Sequence, residues 1–373
     1  MKNYLFKLGI QAKKASNKTI KSKKKDQVLK DYCNLLLKNQ LKIISENKKD
    51  LKNAKEKRLK ENLINRLQID HNKILQIINS TKTIIKFKDP VSQVLEKWKR
   101  SNGLKIAKIT IPIGVVAVIY ESRPNVTSDV ASLCFKSGNP VIMKGGSEAY
   151  YSNKIFTNLF RKALKKNKIN ENYVQFIDYR NRKVVDFLLT RMTNYIDVII
   201  PRGGKGLVKK IKTLSKIPVI GHLEGICHTY IDKNANLSMA KKITLNAKLR
   251  NTAICGATET ILIHQNLLKE FCNPLLSNLS KNGCKIIGSK IIKKFYNGKI
   301  KLAKENDWSK EYLSSKISVK SVKNIDEAIN HINKYGTMHT DAIITKNLKS
   351  AKKFLNNVKS SIAMHNTSTQ FAD

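Results

Sequence analysis

Apolar and polar positions change their period several times along this chain, and each change predicts a change of element. From residue 1 to about 88 the apolar residues recur at helical spacing. Val28, Tyr32, Leu35 and Leu36 form one such stripe, and Leu63, Ile64, Leu67 and Ile69 another, with Lys-rich stretches at 21–25 and 48–60 as wet faces. Asp89-Pro90 closes this helical region. Leu104, Ile106, Ile109 and Ile111 then interleave with Lys105, Lys108 and Thr110, which predicts a half-exposed strand, an arm at about 100–112. The unbroken apolar run over 114–120 predicts a strand buried on both faces of a parallel sheet.

After that run the pattern alternates. Helices are predicted over 126–136, 147–165, 183–192 and 204–214, with strands over 140–144, 174–177, 195–200 and 218–221. A second set has strands over 227–231, 259–264, 285–287, 317–322, 342–345 and 361–365, and helices over about 237–248, 267–279, 325–334 and 348–357. Such a rhythm builds open, mostly parallel sheets with helices on both faces. The expected organisation is a first domain over 1–223, comprising N-terminal helices and a nucleotide-binding sheet, and a second over 224–366. Residues 367–373 begin a further C-terminal segment.

Composition sharpens this picture. A chain of 373 residues divides naturally into two domains. The six cysteines lack the paired spacing of a disulfide framework or a zinc site and suit a reducing compartment. No secretory signal is visible, because Lys7 interrupts the N-terminal apolar residues. The longest apolar run, 111–120, is half the roughly 20 residues a bilayer span requires. A cytoplasmic protein without a membrane partner is expected. The net charge of +45 would ordinarily suggest nucleic acid. Yet the charge is nearly all Lys, spread along the whole chain with only ten Arg, and Arg is the preferred reader of phosphates and bases. Solvated faces account for it, and no specific nucleic-acid partner is expected.

Four stretches carry candidate chemistry. In Asn251-Thr252-Ala253-Ile254-Cys255-Gly256-Ala257 a cysteine follows a helix end and precedes a strand, with small residues beside the sulfur. Such a turn exposes a thiolate and aims its backbone N–H at a reacting oxygen; a buried, inert thiol is the alternative. Asn125, in Glu121-Ser122-Arg123-Pro124-Asn125, stands either as an oxyanion donor or as a helix N-cap, and Arg123 suits a carboxylate or phosphate. Lys144-Gly145-Gly146-Ser147 and Arg202-Gly203-Gly204 are both strand–glycine–helix turns, fit for a pyrophosphate or for a plain tight turn. His222, Glu224 and His228 match no common metal-site spacing, so no metal is expected, and His331, His339 and His365 read as structural or polar contacts.

Taken together, Glu121-Ser122-Arg123-Pro124-Asn125-Val126-Thr127, Lys144-Gly145-Gly146-Ser147-Glu148, Pro201-Arg202-Gly203-Gly204, Ile254-Cys255-Gly256-Ala257-Thr258 and His365-Asn366-Thr367-Ser368-Thr369-Gln370-Phe371-Ala372-Asp373 resemble the gamma-glutamyl phosphate reductase family of the aldehyde dehydrogenase superfamily. The resemblance implies an aldehyde dehydrogenase-like α/β fold, a Cys255 nucleophile and NADP(H) as cofactor. It assigns Asn125 to an oxyanion hole, and Lys144, Gly145, Gly146, Ser147, Gly203, Gly204 and Glu311 to the cofactor. The substrate it implies is gamma-glutamyl phosphate; Arg123 is the candidate, from its residue type, for binding that substrate's carboxylate. A homodimer or larger assembly and a glutamate 5-kinase partner also follow from it. Glu224 receives no catalytic role, because water is not the acyl acceptor. Members of that family continue past the last motif with a segment that pairs with the arm across a dimer. A truncated C-terminal segment is therefore expected here, with effects on association and substrate closure. An inactive relative keeping the fold, or a reductase of a related acyl phosphate, are the alternative readings.

Overall fold

The computed structural model describes residues 1–181 and 183–372. The chain divides into a unit over Met1–Gly221 and a unit over His222–Asp373. The division falls two residues ahead of the boundary expected from sequence.

The first unit opens with α1 (Lys2–Ser16), α2 (Ser22–Lys38), α3 (Gln40–Glu56), α4 (Glu61–Leu67) and α5 (His71–Lys86). The arm is a hairpin, β1 (Val94–Lys99) paired antiparallel with β2 (Lys105–Ile109). Sequence patterning finds only its second strand, because every residue of the first is exposed and leaves no alternation to read. Then follow β3 (Val116–Tyr120), α6 (Pro124–Lys136), β4 (Val141–Lys144), α7 (Tyr150–Lys166), β5 (Val174–Phe176), α8 (Lys183–Arg191), β6 (Val198–Arg202) and α9 (Lys205–Leu214). The strand expected over 218–221 is reduced to a single bridge, Val219 to Ile199.

The strand order is β5-β4-β3-β6, all parallel. Alternation along β3 splits the core as a period of two requires. Val116, Val118 and Tyr120 pack with apolar residues of α2, α5, α6 and α7, while Ala117 and Ile119 face those of α1, α8 and α9. Burying each such large side chain contributes about 1.5–3 kcal/mol. The order reverses between β3 and β6, and the carboxyl ends of strands at such a switch point are where open α/β sheets bind ligands.

The second unit contains β7 (Cys227–Ile231), α10 (Leu237–Leu249), β8 (Thr258–His264), α11 (Asn273–Lys281), β9 (Lys285–Gly288), α12 (Lys290–Phe295), β10 (Ile300–Leu302), β11 (Lys316–Val322), α13 (Ile325–Tyr335), β12 (Thr340–Ile344), α14 (Leu348–Asn357) and β13 (Ile362–His365). A parallel sheet of order β10-β9-β11-β8-β7-β12-β13 runs through it. Ile261 and Ile263 pack with α10 and α11 on one face, and Leu262 packs with α13 and α14 on the other. Patterning misses α12 and β10, which are too short to show a period.

Candidate active site

In the second unit Cys255 lies on the turn between α10 and β8. Ala257 N–H donates to the Ile254 carbonyl at 3.1 Å, which closes the turn. The buried Cys227 thiol donates to the Cys255 carbonyl at 3.1 Å and fixes that peptide from beneath. Gly225 passes so close that a Cβ there would lie 2.0 Å from the Cys255 carbonyl oxygen. Only a glycine allows this approach. Cys255 itself is half-buried. Burial pushes the other five thiols up: Cys33 and Cys284 to about 11, Cys134 and Cys272 to about 12, and Cys227 well above its ordinary value. Cys134 shows some surface as a residue, yet its thiol is enclosed.

Two supports for this turn escape sequence patterning. Buried Gln370 donates to the carbonyls of Ala247 at 2.9 Å and Asn251 at 3.1 Å, and its own carbonyl groups accept from Arg250. The C-terminal motif therefore braces the α10 end and the cysteine turn; its wording marks it as special, but not what it touches. Glu311 Oε1 accepts from Gly225 N–H at 2.8 Å, so this carboxylate, assigned to the cofactor by resemblance, adjoins the Gly225–Cys255 contact. Two histidines join the same place without any signal in their spacing. His222 and His339 lie with Cys255 in one cluster, their ligand atoms within 4.8 Å of one another, although no metal-binding pattern is legible there.

In the first unit, α6 begins at Pro124 with Arg123 as its N-cap residue. Asn125 is thus inside the first turn, which removes the N-cap alternative, and its amide donates to Asp129 at 3.3 Å. Arg123 keeps exposed surface, yet partial desolvation of its guanidinium together with the charges of Arg66 and Arg202 lowers its pKa. A carboxylate or phosphate would relieve that crowding of cations. Lys144 ends β4, is buried, and donates to the Gly145 carbonyl at 2.8 Å; burial lowers its pKa while Glu148 raises it. Gly145 and Gly146 are required by close neighbours: a Cβ would lie 2.3 Å from Asn153 Nδ2 at the first and 2.4 Å from Ser122 Oγ at the second. Ser147 Oγ donates to Glu148 at 3.1 Å. At the switch point, Gly204 N–H donates to Glu121 at 2.8 Å, and a Cβ on Gly203 would meet the same carboxylate at 2.7 Å. An anion already sits at the N-terminus of α9, and it is the protein's own. These cations and this helix end suit the phosphates of a dinucleotide once Glu121 turns away.

A four-stranded parallel sheet with a cation-rich switch point, and a second parallel sheet with a braced cysteine turn leading into β8, define an oxidoreductase of the aldehyde dehydrogenase class. The aldehyde dehydrogenase family matches residues 12–286, and the chain belongs to it. A gamma-glutamyl phosphate reductase from Bartonella tribocorum is 43% identical over 331 residues, 89% of this chain and 80% of that protein. The crystal structure of gamma-glutamyl phosphate reductase from Thermotoga maritima matches with a TM-score of 0.95 and 35% identity, covering 99% of this chain and 89% of that one. An engineered glycolyl-CoA reductase with bound NADP+ shares the fold at 15% identity, with a TM-score of 0.68 over 97% of this chain and 87% of its own. Among the described residues no helix is long and apolar enough to cross a membrane.

Proposed function

We propose that this protein reduces gamma-glutamyl phosphate to glutamate 5-semialdehyde and phosphate, the NADPH-dependent step of proline biosynthesis, through a thioester on Cys255. The observation that carries the reading is the contrast among cysteines: Cys255 is a half-buried residue on a braced turn, while burial raises the pKa of the other five. The similarity to gamma-glutamyl phosphate reductases across most of the chain supplies the substrate.

The chemistry suits sulfur, which attacks well and leaves well. The Cys255 thiolate attacks the acyl carbon, the carbonyl oxygen gains charge, and collapse expels phosphate to leave the thioester. NADPH, when bound, supplies the hydride that reduces this thioester. Collapse of the second oxyanion breaks the C–S bond, returns the thiolate and releases the aldehyde. The Cys255 backbone N–H and the Asn125 amide stabilise both oxyanions. Arg123 holds the substrate's carboxylate. Lys144, Gly145, Gly146, Ser147, Gly203, Gly204 and Glu311 hold the cofactor. The protein works in the cytoplasm, where the cysteines stay reduced. The arm exposes Leu95 and Trp98, at 62% and 40% of their surface, which supports pairing with a second copy.

The test is oxidation of glutamate 5-semialdehyde in the presence of phosphate and NADP+, followed as NADPH absorbance. Turnover that disappears in Cys255→Ser is expected. A folded protein without turnover overturns the reading and favours an inactive relative. Mild alkylation should strike Cys255 first, and NADP+ with the semialdehyde should protect it; preferential labelling elsewhere removes Cys255 from its role.

A further inference from the structure

His222, Cys255 and His339 are far apart in sequence and share one feature of the fold. Each stands just ahead of a strand, β7, β8 and β12 respectively, and these three are neighbours in the order β8-β7-β12. Parallel pairing therefore gathers the three side chains beside the amino-terminal ends of adjacent strands of the second sheet. Their nitrogen and sulfur atoms lie within 4.8 Å of one another. The two imidazole rings meet edge to face, centroids 4.5 Å apart at 85°.

We propose that these three residues form a binding site for a borderline-soft divalent cation of the Zn2+ class, and that the bound cation occupies the nucleophilic sulfur and switches the protein off reversibly. The inhibitory half rests on the reading of Cys255 as nucleophile; the binding half does not.

Geometry favours it. Zinc–sulfur and zinc–nitrogen bonds of roughly 2.3 and 2.0 Å in a tetrahedron place ligand atoms about 3.3–3.6 Å apart. From separations of up to 4.8 Å the cluster must contract by up to about 1.5 Å, a movement within reach of side-chain torsions. His222 is exposed, and Cys255 and His339 are half-buried, so a cation can reach the cluster from solvent. His339 Nδ1 lies 2.9 Å from Thr340 Oγ1, an outer contact of the kind that orients metal-binding imidazoles through their second nitrogen. Three protein ligands leave a fourth position for water.

The donor set chooses the cation. Two nitrogens and a sulfur suit Zn2+ and Co2+, whereas Mg2+ and Ca2+ require oxygen. The net charge of +45 repels every cation at long range, so only one that gains inner-sphere bonds to nitrogen and sulfur is retained. On binding, the Cys255 thiol gives its proton to solvent and a sulfur–metal bond forms; no electron is transferred. The sulfur lone pair that would attack the acyl carbon is then engaged.

The experiment titrates the intact protein with Co2+ as a spectroscopic substitute for Zn2+. One equivalent should bind with a tetrahedral visible spectrum and a thiolate-to-cobalt charge-transfer band. That band should vanish in Cys255→Ser. His222→Ala, at an exposed position, should weaken binding at least tenfold, as should His339→Ala. Zn2+ should compete with Co2+ and abolish turnover, a chelator should restore it, and Mg2+ should do neither. Absence of the band, or its persistence in Cys255→Ser, overturns the site. Zn2+ inhibition equal in the parent and in His222→Ala overturns the inhibitory role. The band needs no turnover: its presence in an inactive protein upholds the site while rejecting the proposed activity, and its absence in an active one does the reverse.

Discussion

Lys248 Nζ lies 2.5 Å from Glu259 Oε2, and neither side chain has any exposed surface. Lys248 is in the last turn of α10 and Glu259 is the second residue of β8, so a dry ion pair joins the two elements that bracket Cys255. The other carboxylate oxygen accepts from Leu313 N–H at 3.2 Å, two residues beyond Glu311. This pair sets the separation of the ends of the cysteine turn.

Breaking one side of it leaves an uncompensated buried charge. Lys248→Met should destabilise the second unit by about 3–5 kcal/mol, since desolvation is no longer offset by attraction. Replacing both partners together, Lys248→Met with Glu259→Leu, should recover most of that loss. Denaturant titration checks both. A single variant as stable as the parent would mean that water reaches the pair.

Gly225 makes a second, purely steric demand. A Cβ added there would fall 2.0 Å from the Cys255 carbonyl oxygen and 2.6 Å from its carbon, backbone atoms that cannot turn aside. Gly225→Ala must push the cysteine turn out of place, and a displacement near 1 Å costs on the order of 10²-fold in rate. Turnover should fall by that factor, with alkylation of Cys255 altered as well. Unchanged turnover would show that the turn tolerates the shift.

The sequence makes the strand–helix alternation legible because buried parallel strands such as Val116–Tyr120 are apolar runs bounded by turn residues, here Gly114 before and Pro124 after. It singles out Cys255 as a candidate nucleophile because small residues follow it. It hides whatever depends on topology. His222, Cys255 and His339 are neighbours only because β7, β8 and β12 are, and no local spacing records that. Glu121 reads as a polar residue beside an arginine, while the fold places it on Gly204 N–H, where a phosphate was expected. The first strand of the arm is silent because every residue of it is exposed and no buried face imposes alternation.

The oxyanion role proposed for Asn125 can be tested apart from folding. Its one described hydrogen bond, to Asp129 at 3.3 Å, is long, so Asn125→Ala should cost no more than about 1 kcal/mol of stability. Removing an oxyanion donor costs about 10²–10³ in kcat. The variant should therefore melt near the parent and turn over about 10²–10³-fold more slowly by the same measure of donor strength. A drop in stability without a drop in kcat would assign Asn125 to the helix alone.

Two buried groups should pull stability in opposite directions with pH. His331 is pushed down to about 2, by burial first and then by His228, Lys320 and Lys334, and Lys320 Nζ donates to its Nδ1 at 3.2 Å. An unfolded histidine takes up its proton near 6.5, so the stability His331 contributes is present above that pH and is lost as pH falls toward 2. Each unit of acidification in that window costs about 1.4 kcal/mol. Glu259 behaves oppositely. Burial raises its carboxyl to about 7 against the pull of Lys248, so its contribution is full below 4.5 and is lost as pH rises through 7. Between 4.5 and 6.5 the two slopes oppose each other, and the parent should show a shallow dependence. His331→Leu should remove the acid loss and leave stability rising as pH falls through that range. Glu259→Gln should leave the histidine slope alone and make the protein clearly acid-labile. Denaturation midpoints measured from about pH 4.5 to 7.5, the span of these two titrations, decide the matter. Parallel profiles for both variants would mean that neither group is buried as drawn.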